Sequence, residues 1–139
     1  MHPITTTQRN RSTQIGGGGM TKILICGTRK AGYMQMVRDV LCKRLKQNEQ
    51  FEIIEGCCPN SADAHAELFA KDYHIKVHHF PSHTGNYLKR NIEMVNFADE
   101  IIAFWDGFSY GTAHAIAQGV MKGVPVKIIN ILEDSEEKG

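Results

Sequence analysis

The sequence predicts one α/β domain, in which a doubly wound sheet of five parallel strands carries helices on both faces. Three observations predict this class. Short apolar runs alternate along the chain with segments whose apolar residues recur at helical spacing. The loops between these segments are short and carry glycine, proline or asparagine. The length of 139 residues, with 42% of them hydrophobic, suits a domain with a single core.

The predicted strands are short apolar runs, each followed by a glycine, a proline or polar residues. Gly27 follows the first run, Gly56 lies just after the second, and Pro81 follows the third. The five runs are Lys22–Cys26, Phe51–Ile54, Ile75–Phe80, Glu100–Phe104 and Val126–Ile131.

Four amphipathic segments between these runs predict helices, and Ser61 or Asn60 is the expected N-cap of the second. Strands that alternate with helices through short loops form a parallel sheet, and the expected strand order is 3-2-1-4-5. The predicted helices run from about Met34 to Lys46, Ser61 to Asp72, Tyr87 to Phe97 and Thr112 to Met121.

The two ends of the chain are predicted to lie outside this domain. Residues 1–19 have the composition of a disordered arm with a Gly16–Gly19 linker, which is either native or an extension upstream of a start at Met20. Residues 20–132 form the domain, and residues 133–139 form a frayed polar tail.

Charge and hydropathy argue against several classes of partner. The formal net charge is +1, and without Arg9 and Arg11 of the arm the body has 14 basic and 15 acidic residues. A near-neutral body gives no strong attraction for nucleic acid or anionic membrane. No apolar run approaches the roughly 20 residues that span a bilayer, and the N-terminus lacks the apolar segment of a secretory signal.

The cysteines and histidines predict a reduced, cytoplasmic protein without a metal or a cofactor. Adjacent Cys57 and Cys58 cannot readily bridge each other, and neither has an identified partner base that would make it a nucleophile. His78 and His79 point to opposite faces of their strand, so they cannot easily share one ion. Neither CxxC nor HExxH is present.

Three predicted loops open at the carboxyl edge of the sheet, where open α/β sheets bind their ligands. They are the Gly27-Thr28-Arg29 turn, the turn at Gly56 and the Trp105–Thr112 loop, and they follow strands one, two and four. Strands one and four are neighbours in the expected order. Their loops should therefore surround one cleft.

The loop after strand four has features of a phosphate site. It leads into a helix N-terminus, which offers unpaired N–H groups and a partial positive charge. Gly107 and Gly111 would let the backbone approach a ligand, and Ser109 and Thr112 offer hydroxyl groups. The structural alternative is that Gly111 makes a turn and Thr112 caps the helix. The second glycine turn, Gly27–Arg29, favours the phosphate interpretation, although GxxxxGK[ST] and GxGxxG are both absent.

Four further side chains each have a functional and a structural interpretation. Asp106 and Asp63 would hold ribose hydroxyls or act as acid/base groups, or they cap a loop and a helix. Trp105 stacks on a base or completes the core. Arg90 reaches a phosphate at the sheet edge or is an exposed helical arginine.

The order of these motifs resembles that of the SLOG superfamily, most closely its YspA / cpYpsA-related members. The similarity runs from about Thr21 to Ile131 and is carried by ICGTR at 25–29, Gly56 with Ala62-Asp63, RNIEMV at 90–95, ADEIIAFWDG at 98–107 and Ser109 with GTAH at 111–114. The resemblance implies a Rossmann-like fold, a nucleotide or nucleotide-derived ligand and a homo-oligomer. The ligand-binding residues that the loops and these motifs together predict are Gly27, Thr28, Arg29, Gly56, Arg90, Asn91, Trp105, Asp106, Gly107, Ser109, Gly111, Thr112 and His114.

One departure bears on activity. The superfamily includes the Lonely Guy phosphoribohydrolases, whose PGGxGTxxE motif has a glutamate three residues after the threonine; the corresponding residue here is Ala115. Arg90 does match their arginine. An arginine and a phosphate loop without that glutamate favour ligand holding over N-glycosidic cleavage. For cleavage, Asp106, Asp63 or His114 would have to substitute, with Arg90 beside them.

The sequence thus predicts a protein that binds a nucleotide of the NAD or ADP-ribose type as sensor, carrier or sequestering agent. The alternative is an enzyme, a nucleoside-monophosphate phosphoribohydrolase or a related N-glycosidase. A third possibility is a single-strand nucleic-acid binder like DprA, another member of the superfamily. The near-neutral body and the lack of interleaved basic and aromatic residues disfavour it.

Overall fold

The structure is a computed structural model that describes residues 20–30, 32–47, 49–58, 60–82 and 86–132. In these ranges, strands and helices alternate strictly along the chain. They are β1 (Thr21–Gly27), α1 (Met34–Lys46), β2 (Phe51–Glu55), α2 (Ala62–Tyr73), β3 (Val77–His79), α3 (Tyr87–Phe97), β4 (Glu100–Trp105), α4 (Tyr110–Lys122) and β5 (Val126–Asn130).

The five strands form one sheet in the order β3-β2-β1-β4-β5, and every neighbouring pair is parallel. Parallel strands need a crossover between them, and the four helices supply it. This result confirms the predicted fold class and the predicted strand order. It also makes β1 and β4 neighbours, so that Gly27 lies beside Phe104 at the carboxyl edge.

The sheet separates two apolar cores, and the alternation of side chains along β1 shows how they form. Ile23 and Ile25 join the core that contains Leu41 of α1 and Phe69 of α2. Leu24 joins the core with Met94 of α3 and Ala115 of α4, on the opposite face. Because both faces are covered, the central strands are apolar throughout rather than alternating with polar residues.

Some element boundaries differ from the predicted ones. β3 has three residues rather than the six of Ile75–Phe80. Helix α4 begins at Tyr110, two residues before the predicted start at Thr112, and Ser109 occupies its N-cap position. Thr112 is therefore the third residue of α4 and not its cap. Ser61, by contrast, is the N-cap of α2 as predicted, and its hydroxyl accepts a bond of 3.1 Å from the Asp63 N–H.

The predictions for residues 1–19 and 133–139 fall outside the described residues. Among the residues that the structure does describe, none of the helices has the length and apolar character that crossing a membrane requires.

Candidate ligand-binding cavity

A cavity of about 550 Å³ opens at the carboxyl edge of the sheet. Its walls come from the loops after β1, β2 and β3, from α3 and from the start of α4. Nine residues that the sequence predicted for the site line this cavity. They are Gly27, Arg29, Gly56, Asp63, Arg90, Asn91, Ser109, Gly111 and Thr112.

The structure does not bring the other five predicted site residues to the cavity wall. Two of them, Thr28 and Asp106, brace the loops behind the wall. Trp105 bonds Ser109 in its own loop, Gly107 has a positive φ in that loop, and His114 lies against Asn91 of α3. The five are Thr28, Trp105, Asp106, Gly107 and His114.

Helix α3 presents four residues to the cavity at positions i, i+3, i+4 and i+7, which lie on one helical face. They are Tyr87, Arg90, Asn91 and Met94. Along this face, the Tyr87 ring at the first residue of α3 is partly exposed, the Arg90 guanidinium and the Asn91 amide follow, and the Met94 thioether is buried. Sequence reasoning found Arg90 and Asn91 but missed Tyr87 and Met94, although their spacing was the available signal. It also missed Ser82, whose buried hydroxyl has no hydrogen-bond partner in the described part of the chain.

Arg90 crosses from α3 to the turn after β2. Its Nη1 donates to the Gly56 carbonyl at 2.8 Å and lies 3.7 Å from Cys58 Sγ. Its Nη2 makes a longer bond of 3.4 Å to Asn91 Oδ1. Its Nε–H is buried and has no hydrogen-bond partner among the described residues. The alternative of a fully exposed helical arginine is therefore wrong, because Arg90 is partly buried and anchored.

Asn91 links α3 to the start of α4. Its side chain is 3% exposed, and its Nδ2 donates to the Gly111 carbonyl at 3.1 Å. The same nitrogen lies 3.2 Å from His114 Nδ1. His114 thus contacts Asn91 but does not line the wall itself.

The first turn of α4 has no side-chain cap. The opening N–H groups of a helix have no partner within the helix, so an uncapped first turn is suited to an anion. A Cβ at Gly111 would lie 3.6 Å from the nearest atom, Cε2 of Tyr87, which is ordinary contact. Packing alone therefore does not require glycine at this position.

Thr28, Asp106 and Ser109 form a hydrogen-bonded brace between the loops after β1 and β4. The Thr28 hydroxyl oxygen accepts from the Asp106 N–H at 3.1 Å and lies 3.1 Å from Ser109 Oγ. One Asp106 carboxylate oxygen accepts from the N–H groups of Phe108 and Ser109 and from the Ser109 hydroxyl. Partial burial raises the pKa of Asp106, but these donors outweigh it and hold the pKa below its usual value. This geometry supports the structural interpretation of Asp106.

Trp105 also serves the loop after β4. Its indole Nε1 donates to the Ser109 carbonyl at 3.1 Å, and its backbone lies opposite Asn130 of β5. The ring is therefore engaged with the loop after β4. The structure gives no support to its predicted role in stacking on a base.

Asp63 is 5% exposed and organises the turn after β2. Its Oδ2 accepts from the Gly56 N–H at 2.8 Å and from the Cys58 N–H at 3.3 Å. Burial raises the pKa of Asp63, although these two N–H groups and the charge of Arg90 oppose the shift. Asp63 is thus a buried carboxyl at the cavity wall whose proton affinity is above normal.

Gly27 is required by packing. A Cβ there would lie 2.8 Å from the Phe104 carbonyl oxygen and from Tyr33 Oη, and 2.9 Å from Ala62 Cβ. Such distances exclude a side chain whether or not a ligand is bound. The same residue also reaches the cavity wall.

A second cluster of titratable groups lies behind the turn after β2. His79 Nε2 lies 3.2 Å from Glu55 Oε2 and 2.8 Å from Glu67 Oε1. Burial, followed by the hydrogen bond with Glu67, raises the pKa of Glu55 to about 8. In the described ranges this trio is the set of side chains close enough to hold a metal ion, with its ligand atoms within 4.8 Å of one another. The sequence did not indicate it, because the trio joins two strands and a helix.

Comparisons with known proteins bear on the fold. No family model matches the sequence, and no curated protein matches it. Among solved structures, the chain is similar to the crystal structure of Acinetobacter baumannii MurG, with a TM-score of 0.52 and 15% sequence identity. The likeness covers 76% of this chain and 33% of that chain, so this chain spans about a third of that protein's length. At this identity, the likeness shows a Rossmann-like α/β fold alone.

Proposed function

We propose that the protein binds a nucleotide or nucleotide-derived ligand, with its phosphate held between Arg90 and the uncapped start of α4. The observation that carries this proposal is the state of the Arg90 side chain. A buried N–H without a partner costs about 1–3 kcal/mol. A ligand oxygen that accepted this hydrogen bond would remove that cost.

The unused edge of the guanidinium has the donors that such an oxygen needs. The Nη1 group is occupied by Gly56 and Cys58, whereas Nε lacks a partner and Nη2 has a weak one. Nε and Nη2 form one edge of the planar guanidinium, and this edge suits a phosphate or a carboxylate in a bidentate contact.

Two further features favour a nucleotide over a smaller anion. A volume of about 550 Å³ lies in the range of sites for cofactor-sized molecules. The SLOG resemblance, carried by the motifs around these same loops, implies a nucleotide-derived ligand such as NAD or ADP-ribose. A role as sensor, carrier or sequestering protein follows from holding such a ligand without turning it over.

Calorimetric titration with AMP, ADP-ribose and NAD tests the proposal. Arg90→Ala should weaken binding of the best ligand at least about tenfold, because a charge-assisted hydrogen bond contributes roughly 1.5–3 kcal/mol. Arg90→Lys should restore only part of the affinity, since an ammonium cannot make the bidentate contact. Arg38→Ala is the matched control, because Arg38 pairs with Asp72 on α2 and does not line the cavity. Equal affinity in wild type and Arg90→Ala would contradict the proposal.

N-glycosidic cleavage is the second candidate, and Asp63 is the observation that favours it. A carboxyl at the cavity wall with a raised pKa has the proton affinity of a general acid. Chromatography of AMP incubated with the protein would detect free adenine and ribose 5-phosphate. Their formation at a catalytic rate, and its loss in Asp63→Asn, would replace the binding role with an enzymatic one.

The resemblance also implies a homo-oligomer, and we include this state in the proposal. Light scattering at several protein concentrations, with and without AMP, measures it directly. A measured mass equal to that of one chain under all conditions would contradict the proposed homo-oligomer.

A further inference from the structure

Tyr87 is the aromatic side chain at the cavity wall. Among the described residues that line the cavity, only Tyr87 has an aromatic ring. It is the first residue of α3, its side chain is 38% exposed, and it makes no ring–ring contact with another described residue. An apolar ring that remains half open to a cavity is suited to contact a ligand rather than a core.

The ring stands over the start of α4. Its Cε2 and Cδ2 atoms would lie 3.6 and 3.7 Å from a Cβ at Gly111, so the edge of the ring lies against the first turn of α4. No side chain at position 111 fills the space beside the ring. The part of the ring that does not pack against α4 is open to the cavity, where a planar group of the ligand can contact it while its anionic end reaches the first turn of α4.

The spacing along α3 relates this ring to the anion site. Arg90 follows Tyr87 by three residues, which places it on the same face and about 4.5 Å further along the helix axis. Both side chains line the cavity, so one ligand can contact the ring and the guanidinium together.

The other exposed aromatic side chains near this edge do not compete for the role. Trp105 is engaged with the Ser109 carbonyl. Phe108 and Tyr110 are 79% and 83% exposed, and neither lines the cavity.

We infer that Tyr87 stacks on a planar ring of the ligand, so that the site selects aromatic phosphates, such as nucleoside 5′-monophosphates, over sugar phosphates of equal charge. This inference rests on the proposed function and assigns the recognition of the ring to one residue.

The test compares one probe that carries a base with one that does not. Wild type, Tyr87→Leu, Tyr87→Phe and Arg90→Ala are titrated calorimetrically with AMP and with ribose 5-phosphate. Stacking on an aromatic side chain predicts that Tyr87→Leu weakens AMP binding at least about fivefold and changes ribose 5-phosphate binding less than about twofold.

Tyr87→Phe keeps the ring and should bind AMP like wild type. Tyr73→Leu, a tyrosine at the end of α2 that does not line the cavity, should match wild type for both probes. Thermal unfolding of each variant establishes that it is folded.

The outcomes separate the two claims. If AMP and ribose 5-phosphate both bind, both weaken in Arg90→Ala, and Tyr87→Leu leaves AMP affinity unchanged, then the inference about Tyr87 fails and the phosphate site remains. If Tyr87→Leu lowers the affinities for the two probes equally, Tyr87 shapes the site without recognising the base, and the inference fails as well. If neither probe binds wild type, both the phosphate site and the ring assignment are overturned.

Discussion

The guanidinium of Arg90 occupies the space that a side chain at Gly56 would take. A Cβ at position 56 would lie 2.7 Å from Arg90 Nη1 and 2.8 Å from its Cζ, while Nη1 bonds the Gly56 carbonyl at 2.8 Å. The turn after β2 and the helix α3 are thus fitted to each other at the cavity wall. Position 56 therefore favours glycine because the Arg90 side chain of α3 packs directly against it.

Gly56→Ala should displace Arg90 while leaving the fold largely intact. The clashing atoms are at the far end of a flexible side chain, so the guanidinium can swing away at low cost. We expect AMP affinity to fall at least about tenfold, as in Arg90→Ala, because the same charge-assisted bonds are lost. Calorimetry measures the affinity, and urea unfolding measures the stability. In the double variant with Arg90→Ala, the two losses should not add, since they remove one interaction.

Two glycines of α4 should respond oppositely to alanine. A Cβ at Gly119 would lie 2.5 Å from Ile101 Cδ1 and 2.7 Å from Val126 Cγ2, so Gly119→Ala overpacks the contact between α4 and the sheet. We expect it to lower the free energy of unfolding by about 1–3 kcal/mol. Gly111→Ala meets ordinary contacts and should leave that free energy unchanged or raise it by up to about 1 kcal/mol, because alanine favours helix. Urea unfolding of both variants checks this. Equal destabilisation would contradict the packing at Gly119.

Asp106→Ala should lower the stability of the fold more than it lowers the affinity for the ligand. The carboxylate accepts three bonds within the loop that leads into α4, and the loss of a hydrogen bond of this kind costs about 1 kcal/mol. The pKa of Asp106 is lowered on folding, so its contribution is present above its unfolded pKa near 3.8 and is lost as pH falls through the lower folded value. The difference in unfolding free energy between wild type and variant should therefore shrink at acid pH. A loss of AMP affinity as large as that of Arg90→Ala would instead indicate direct ligand contact.

Glu55→Gln should change how stability depends on pH. The folded pKa of Glu55, about 8, exceeds its ordinary value of 4.5. Its stabilising contribution is thus fully present below about pH 4.5 and is lost as pH rises towards 8, with a slope of at most about 1.4 kcal/mol per pH unit. The glutamine variant should lose less stability than wild type between about pH 5 and pH 8 in urea unfolding.

Glu67 provides a contrast within the same cluster. The hydrogen bond with Glu55 and the contact with His79 lower the pKa of Glu67, so its contribution is lost as pH falls. Glu67→Gln should therefore weaken the protein less at acid pH than at neutral pH.

Identical pH profiles for wild type and Glu55→Gln would contradict the prediction for Glu55, because they would mean that the Glu55 carboxyl titrates normally.

The sequence was sufficient for the fold because its signal is local and repeated. Apolar runs such as Lys22–Cys26 and helical stripes such as the one in α1 each indicate their own element. Parallel topology then follows from the alternation, because short loops leave few other connections. The carboxyl edge was predictable for the same reason, and nine predicted site residues line one cavity there.

Side-chain direction was decided by the tertiary structure. Trp105 and Asp106 have the residue types of a ligand site, yet Trp105 bonds Ser109 within its own loop, and the Asp106 N–H bonds Thr28, which only the pairing of β1 with β4 brings near. Tyr87 became a cavity residue because α3 packs against α4 and turns its ring towards Gly111. Glu55, Glu67 and His79 meet because β2, α2 and β3 are neighbours in space. Short-range periodicity sets which face of an element is apolar, whereas contacts between residues distant in sequence determine which side chains of different elements meet.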